Sequence, residues 1–439
     1  MQDATPTEQR TFGFLEHAAL WGSLGISLYV MPFGSLLAPA LSLKEALAAV
    51  VVAAILGGLL LAAVAAIAAH SGLSTAGLLG RLFGERASPL IAALLLVRNV
   101  AWAAFALSLI ADAAELVSDR ALGAGARPLW VIVFGLAGLV LAAAGPEFVI
   151  RKLLRRAGLW LALLVAAAVT LSAYLEFGVP AYLQRPAVGG WPSFWQAVDV
   201  MLVVPLLWLP LVADYARLGR TLGGAFSGSF AGMFAGTAWM GILGVVYLPA
   251  VESGDVAGFV VGMKLGLAAL VLILLLQVDE VFAGVHSAGV ALRSVLPIGP
   301  KVGALVLGCL VIALVLPFDL LDVEGSLLLL ATLFVPLFGV LLADQLFARP
   351  DARSAAPSAL AAWALGFLLY HWISPPDAGW WQDAMSRLFA DLLHLPFPLT
   401  DEVTWLGAAI PAFLAGFVLH AVGRAALARR RLPAVAPAS

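Results

Sequence analysis

Trp21-Gly-Ser-Leu-Gly-Ile-Ser-Leu-Tyr-Val-Met-Pro-Phe-Gly-Ser-Leu-Leu-Ala-Pro39 and Trp195-Gln-Ala-Val-Asp-Val-Met-Leu-Val-Val-Pro-Leu-Leu-Trp-Leu-Pro210 are two apolar stretches, each interrupted by proline. A membrane-spanning helix needs roughly 20 mostly apolar residues. Proline removes a ladder donor and crowds the preceding turn, so Pro32 and Pro205 predict kinks or breaks near mid-span. Interrupted helices at corresponding places in two halves of a chain point to a binding site near the bilayer midplane. These two stretches are expected to be broken helices flanking such a site.

Composition sets the class around them. Of 439 residues, 63% are hydrophobic and 11% charged, against about 25% charged in soluble domains. Backbone polar groups in a bilayer must pair internally, which leaves helices or closed barrels. The runs are rich in Ala, Leu and Val without the alternation of a barrel strand, so the fold class is an all-α membrane protein. A net charge of -2 argues against nucleic acid, and the lone Cys309 excludes a disulfide framework. The polar start, Met1 to Arg10, has no apolar core of a signal peptide.

Twelve spans are predicted. The first five cover 18–40, 45–69, 89–117, 128–144 and 153–175. The next five cover 194–218, 223–249, 258–292, 302–316 and 326–347, and the last two 357–373 and 403–426. Residues 377–399 suit an interfacial or partly re-entrant segment. With both termini inside, seventeen Lys and Arg fall in inside segments and five in outside ones. Arg98 and Lys264, within spans, complete the 24. That asymmetry fits cytoplasmic termini and the cell (inner) membrane. The run Arg151-Lys-Leu-Leu-Arg-Arg156 is a topology signal and a candidate contact for anionic membrane lipid.

Several segments carry a resemblance. They are Leu20-Trp-Gly-Ser-Leu-Gly-Ile-Ser27, Gly34-Ser-Leu-Leu-Ala-Pro39, Trp102-Ala-Ala-Phe105, Trp208-Leu-Pro-Leu-Val-Ala-Asp-Tyr-Ala-Arg217, Phe282 to Leu292, and Pro336-Leu-Phe-Gly-Val-Leu-Leu-Ala-Asp344. In order and spacing the chain resembles the nucleobase–cation symporter family, and within it the hydroxymethylpyrimidine and cytosine branch. The resemblance implies a LeuT-like fold of 12 transmembrane helices. Two inverted five-helix repeats (18–175 and 194–347) would be followed by two C-terminal helices (357–426), between a segment 1–17 and a tail 427–439 on the cytoplasmic side. It also implies uptake of a planar heterocycle coupled to Na+ or H+. The substrate would stack on aromatics of spans three and six, with sodium, where used, between the span-one break and span eight.

Candidate site residues follow from residue type and depth. Trp102 and Trp208 lie away from span ends, where interfacial tryptophans belong, and indole faces can sandwich a flat ring. Phe105 and Tyr29 are candidate lining, and Gly25, Ile26 and Ser27 offer backbone groups and a hydroxyl at the break. Span eight reads Gln277-Val-Asp-Glu-Val-Phe-Ala-Gly-Val-His-Ser287. Two adjacent acids in an apolar helix are costly and functional by default. Asp279 and Glu280 are therefore the ion-coupling candidates, with His286 as a relay and a Na+ site near Gly25, Ile26, Asp279 and Glu280 as the alternative to protons. Arg98, about 15 Å into span three, lies too deep to snorkel easily. It is expected to pair with Asp279 or Glu280 in place of a bound cation. No zinc pattern, phosphate loop or nucleophile triad is present, so a transporter without cofactor is expected rather than an enzyme. An amino-acid or amine transporter of the same fold is the alternative.

Overall fold

Apolar runs bounded by serine, threonine or glycine caps build almost the entire chain. The structure, a computed structural model, describes residues 5–178, 186–250, 257, 260, 266–318, 320, 324–347 and 356–429. Lys264, most of the start of expected span eight, and the end of the tail lie outside them.

The interrupted first stretch forms α1 (Phe14–Gly25) and α2 (Val30–Ser35). There follow α3 (Leu43–Ser71), the short α4 (Thr75–Phe83), α5 (Ser88–Leu122), α6 (Arg127–Ala144) and α7 (Pro146–Phe177). The second half holds α8 (Phe194–Ala216), α9 (Leu222–Tyr247), α10 (Gly266–Arg293), α11 (Pro300–Val315), α12 (Glu324–Thr332) and α13 (Phe334–Phe347). The chain ends in α14 (Ala356–Ile373), the short α15 (Gly379–Ser386) and α16 (Ala409–Arg429). Among the described residues, ten helical segments are long and apolar enough to cross a membrane, counting α12 and α13 as one. No strand is present among them.

Local chemistry explains the boundaries. Ser42 with Glu45, and Ser193 with Gln196, form reciprocal capping boxes at the starts of α3 and α8. Gly72 and Gly123 end α3 and α5 in the left-handed conformation.

The break in the first span does not sit at Pro32. It lies at Ile26–Tyr29, where the Ser27 hydroxyl accepts from the Tyr29 N–H at 3.1 Å and so competes with the helix ladder. Pro32 is the third residue of α2, where a missing N–H costs little.

The expected break in span six is absent, because α8 runs unbroken through Pro205 and Pro210. Gly57 of α3 makes room for the Pro205 ring: a Cβ there would lie 2.0 Å from Pro205 Cγ. Membrane helices tolerate proline when neighbours satisfy the freed groups. The irregularities fall instead in α7, which winds as π-helix over Val149–Gly158, and at Leu333 between α12 and α13. There Trp363 Nε1 donates to the Leu333 carbonyl at 2.7 Å.

The last span also starts later than 403. Residues 403–408 turn instead, and the Asp199 carboxylate of α8 accepts from the N–H groups of Ala408 (2.9 Å) and Ala409 (2.7 Å). Its negative charge sits against the positive end of the α16 dipole. Asp344 of α13 joins His420 and Arg424, fixing α16 from the other end.

Close helix contacts rely on glycine. A Cβ on Gly236 of α9 would meet the Gly25 carbonyl carbon at 2.6 Å, so α1 and α9 touch backbone to backbone just before the break. Gly236→Leu should therefore cost at least about 1–3 kcal/mol in overpacking and lower the melting temperature of the detergent-purified protein. Gly223→Leu, in open space at the start of the same helix, should leave it unchanged in the same assay.

Candidate functional site

A cavity of about 690 Å³ opens between α2, α5 and α12. Leu28, Tyr29, Pro32, Phe105 and Leu109 line its apolar part, and Asp112, Glu115, Asp119 and Glu324 its mouth. Tyr29 Oη donates to Glu324 Oε1 at 2.8 Å, which ties the residue after the span-one break to the first turn of α12.

Aromatic rings form the wall below this mouth. Tyr29 packs edge-on against Phe33 (5.0 Å), Trp102 (5.3 Å) and Phe105 (5.4 Å). Trp102 in turn meets Trp208 at 6.0 Å and 83°. The two indoles are thus in direct edge-to-face contact rather than held as parallel plates with a ring's width between them. This is the arrangement ring quadrupoles favour when the faces have no third ring between them. Tyr29 and Phe105 reach the cavity; Trp102 and Trp208 stand behind them, both 3% exposed.

Buried polar atoms lie on α5 and α10. Trp102 Nε1, Asn99 Nδ2 and both side-chain heteroatoms of Gln277 are buried without a hydrogen-bond partner. Asn99 and Gln277 carried no specific role in the sequence reading, although an amide in an apolar helix was the available signal. Asp279 and Glu280 are buried as well, at 4% and 2% exposure. Neither Asp279 oxygen has a hydrogen-bond partner of ordinary geometry. Hydroxyls beside the acids come from α1 and the break: Ser23 beside Asp279 and Ser27 beside Glu280. At the same break the carbonyls of Leu24, Gly25 and Ile26 accept no hydrogen bond among the described residues. The adjacent acids of α10 thus lie close to the break in the first span.

Residues 4–382 match the family described as permeases for cytosine/purines, uracil, thiamine and allantoin. The chain belongs to this permease family. It is a membrane transporter and not an enzyme. Its fold is that of Mhp1, described as a nucleobase-cation-symport-1 family transporter. A closed form of Mhp1 with bromovinylhydantoin bound matches with a TM-score of 0.75 and 17% identity over 97% of this chain and 95% of that one. The inward-facing form matches at 0.72 and 16%, over 98% and 94%. A Na+-coupled sialic acid symporter in a substrate-bound outward-open state matches at 0.57 and 12%, over 95% and 91%. No curated protein matches in sequence.

In the permease, Arg98 does not pair with either acid. Its guanidinium donates to Asn99 Oδ1 at 3.1 Å and to the Leu207 carbonyl of α8, and lies 5.5 Å from the Trp102 ring centroid. No carboxylate of the described residues is within ion-pair distance. Helix register explains the difference. A Cβ on Gly284 of α10 would touch Ala103 Cβ and the Asn99 carbonyl of α5. The two helices run antiparallel, so Arg98 sits roughly eight residues, or about 12 Å along the axis, below the level of Asp279. Its partner is instead a carbonyl in the stretch that Pro210 weakens. The carbonyl of Leu206, next to Leu207, has lost its ladder donor to that proline.

His286 lies in a second aromatic layer, stacked on Phe282 (6.0 Å) and tilted against Tyr215 (5.5 Å). Trp21 completes it, edge-on to Tyr215 at 6.4 Å. The Tyr215 hydroxyl donates to the Ala283 carbonyl at 2.9 Å, and Trp21, Tyr215 and Phe282 are fully buried. This layer lies C-terminal to the acids on α10, toward the side that carries the basic segments.

Carboxylates buried without a counter-charge are expensive, and neutral isosteres remove that cost. Asp279→Asn and Glu280→Gln should therefore hold or raise the melting temperature while lowering uptake in proteoliposomes at least about tenfold, the trade expected of residues kept for function. A fall in both properties would identify the acids as structural.

Proposed function

We propose that the permease imports a planar pyrimidine-like heterocycle, such as hydroxymethylpyrimidine, cytosine or a related nucleobase, by alternating access coupled to H+ or Na+. The observation that carries this reading is the aromatic wall of Tyr29, Phe105, Trp102 and Trp208 with its unpartnered Trp102 N–H. A flat ring gains stacking there, and the edge of a heterocycle carries the complementary acceptor for the Trp102 N–H. Rotation of one indole away from its edge-to-face contact would open the slot, with Phe105 and Tyr29 above the bound ring.

Twelve spans are the natural reading of the chain. The α1–α2 pair and the shorter α11 add to the ten long segments. Two inverted five-helix repeats, residues 18–175 and 194–347, are supported by where the irregular helices fall. Besides the break in the first span, each half has a disturbed ladder in its fifth span, α7 and the α12–α13 pair. The charge asymmetry supports cytoplasmic termini and a cell (inner) membrane location. The cavity with the acidic mouth then faces outward, and the second aromatic layer closes the cytoplasmic side. The Tyr29–Glu324 hydrogen bond is the contact that must part and re-form as α12 moves.

Coupling follows from the unpaired acids. Arg98 does not neutralise them, so the neutralising charge comes from the coupling ion. Protonation of Asp279 or Glu280, with His286 on the route to the inner side, is the first reading. The unbonded carbonyls of Leu24, Gly25 and Ile26 favour a second, a Na+ held with Asp279 or Glu280, since helix-break carbonyls suit cations.

Thermal shifts with pyrimidines, purines and hydantoins, in Na+ and in choline, should identify a stabilising heterocycle. Stabilisation by amino acids alone would overturn the substrate class in favour of an amino-acid or amine transporter. Trp102→Ala should weaken binding of that heterocycle roughly 10- to 100-fold, as loss of one aromatic stacking face does. Uptake into proteoliposomes driven by a pH gradient without sodium should be retained and should vanish in Glu280→Gln or Asp279→Asn. Strict dependence on a sodium gradient would establish the second coupling reading instead.

A further inference from the structure

A second cavity, of about 520 Å³, lies at the opposite end of the molecule from the mouth, at the junction of α6 and α7. It is lined by Glu147, Phe148, Arg151, Lys152, Arg155 and Arg156. Arg151 and Arg155, and Lys152 and Arg156, stand four residues apart on the π-helical stretch, so like charges face each other along it. Two of the cations have acidic partners: Arg155 meets Glu16 at 2.7 Å, and Arg151 lies 3.9 Å from Glu147. Among the described residues no carboxylate lies within ion-pair distance of Lys152 or Arg156. Lys152 rests instead 5.5 Å from the Phe148 ring centroid.

The wall continuing away from this pocket is apolar and uncovered. Leu153, Leu163, Leu164 and, at 67% exposure, Trp160 face outward along α7. A pocket of concentrated positive charge therefore opens directly onto the hydrocarbon-facing side of a spanning helix. We propose that this is a binding site for an anionic phospholipid, with its phosphodiester among Arg151, Lys152 and Arg156 and its acyl chains against Trp160, Leu163 and Leu164. The headgroup relieves the like-charge repulsion that the sequence builds in, and the exposed wall takes the chains. A soluble anion would use the first feature and leave the second without a purpose.

The site reaches the transport machinery through short contacts. Arg155 holds Glu16, whose other oxygen accepts from the Gly13 N–H at 2.9 Å and so starts α1. Thr11 donates to Glu147, on the pocket wall, at 2.9 Å. A lipid seated here braces the segment leading into the helix that breaks at Ile26–Tyr29.

The test uses the full chain in vesicles of phosphatidylcholine containing brominated phosphatidylglycerol or brominated phosphatidylcholine at equal content. Trp160 emission is taken as the difference between wild type and Trp160→Phe. Brominated phosphatidylglycerol should quench Trp160 preferentially. Arg151→Gln, Lys152→Gln and Arg156→Gln together should remove the preference, by roughly fivefold in relative affinity per cation. Lys301→Gln, a cation at the start of α11, should preserve it, as should the charge-retaining Arg151→Lys with Arg156→Lys. Equal quenching by both lipids in wild type, which decides the matter even if the triple variant fails to fold, would overturn the proposal. So would an unchanged preference in a folded triple variant, or loss of the preference on adding inorganic phosphate, which would mark a site for a free anion.

Discussion

Inside a bilayer a polar group has no water to turn to, and the organisation of this permease follows from where such groups are left unanswered. Backbone groups are nearly all answered by helix ladders, and the Pro205 ring of α8 is accommodated by the space at Gly57. Some exceptions are scattered, such as His17, Thr75 and Ser172, but one slab at the break of the first span holds the carbonyls of Leu24 to Ile26 and, on α10, the Asp279 carboxylate. Each is costly alone. Their convergence at the break is what the proposed site needs if it is to take up an ion and then give it up. Full internal satisfaction would make a rigid bundle with nothing to offer a substrate.

The break in the first span depends on this slab and on tight packing together. Gly25 and Gly236 bring α1 and α9 into backbone contact, so the N-terminal half of the span is held firmly up to the residue where the helix stops. Beyond it, α2 begins again with Tyr29 turned toward Glu324. Gly25 therefore serves the site through position: its side-chain face is taken by α9, and only its carbonyl is free to act.

The sequence made the class, most spans and the aromatic residues legible, because these rest on length, hydropathy and residue type. Helix irregularity was harder to read. Proline marks where a donor is missing but not whether neighbours compensate, so Pro205 and Pro210 suggested a break that α8 does not have. The real breaks, at Ser27 and Leu333, involve a hydroxyl competing for a backbone N–H and a carbonyl answered by Trp363 from another helix. Only the first is a local signal. Depth along a span was the weakest guide of all. Counting from span ends placed Arg98 near Asp279, whereas the Gly284 contact with Asn99 and Ala103 sets the register and carries Arg98 toward α8.

That register has a consequence for coupling. Had Arg98 faced the acids, their charge would have been balanced permanently, and no ion would have had reason to enter or leave. Displaced by about 12 Å along the helix, Arg98 instead lies by the Trp102 ring and the weakened turn of α8, where it steadies the aromatic wall on which a flat substrate would stack. The positive charge and the negative pair are thus close enough to belong to one site and far enough apart not to cancel. In the proposed coupling, the fixed cation serves the wall and the acids are left to a mobile one.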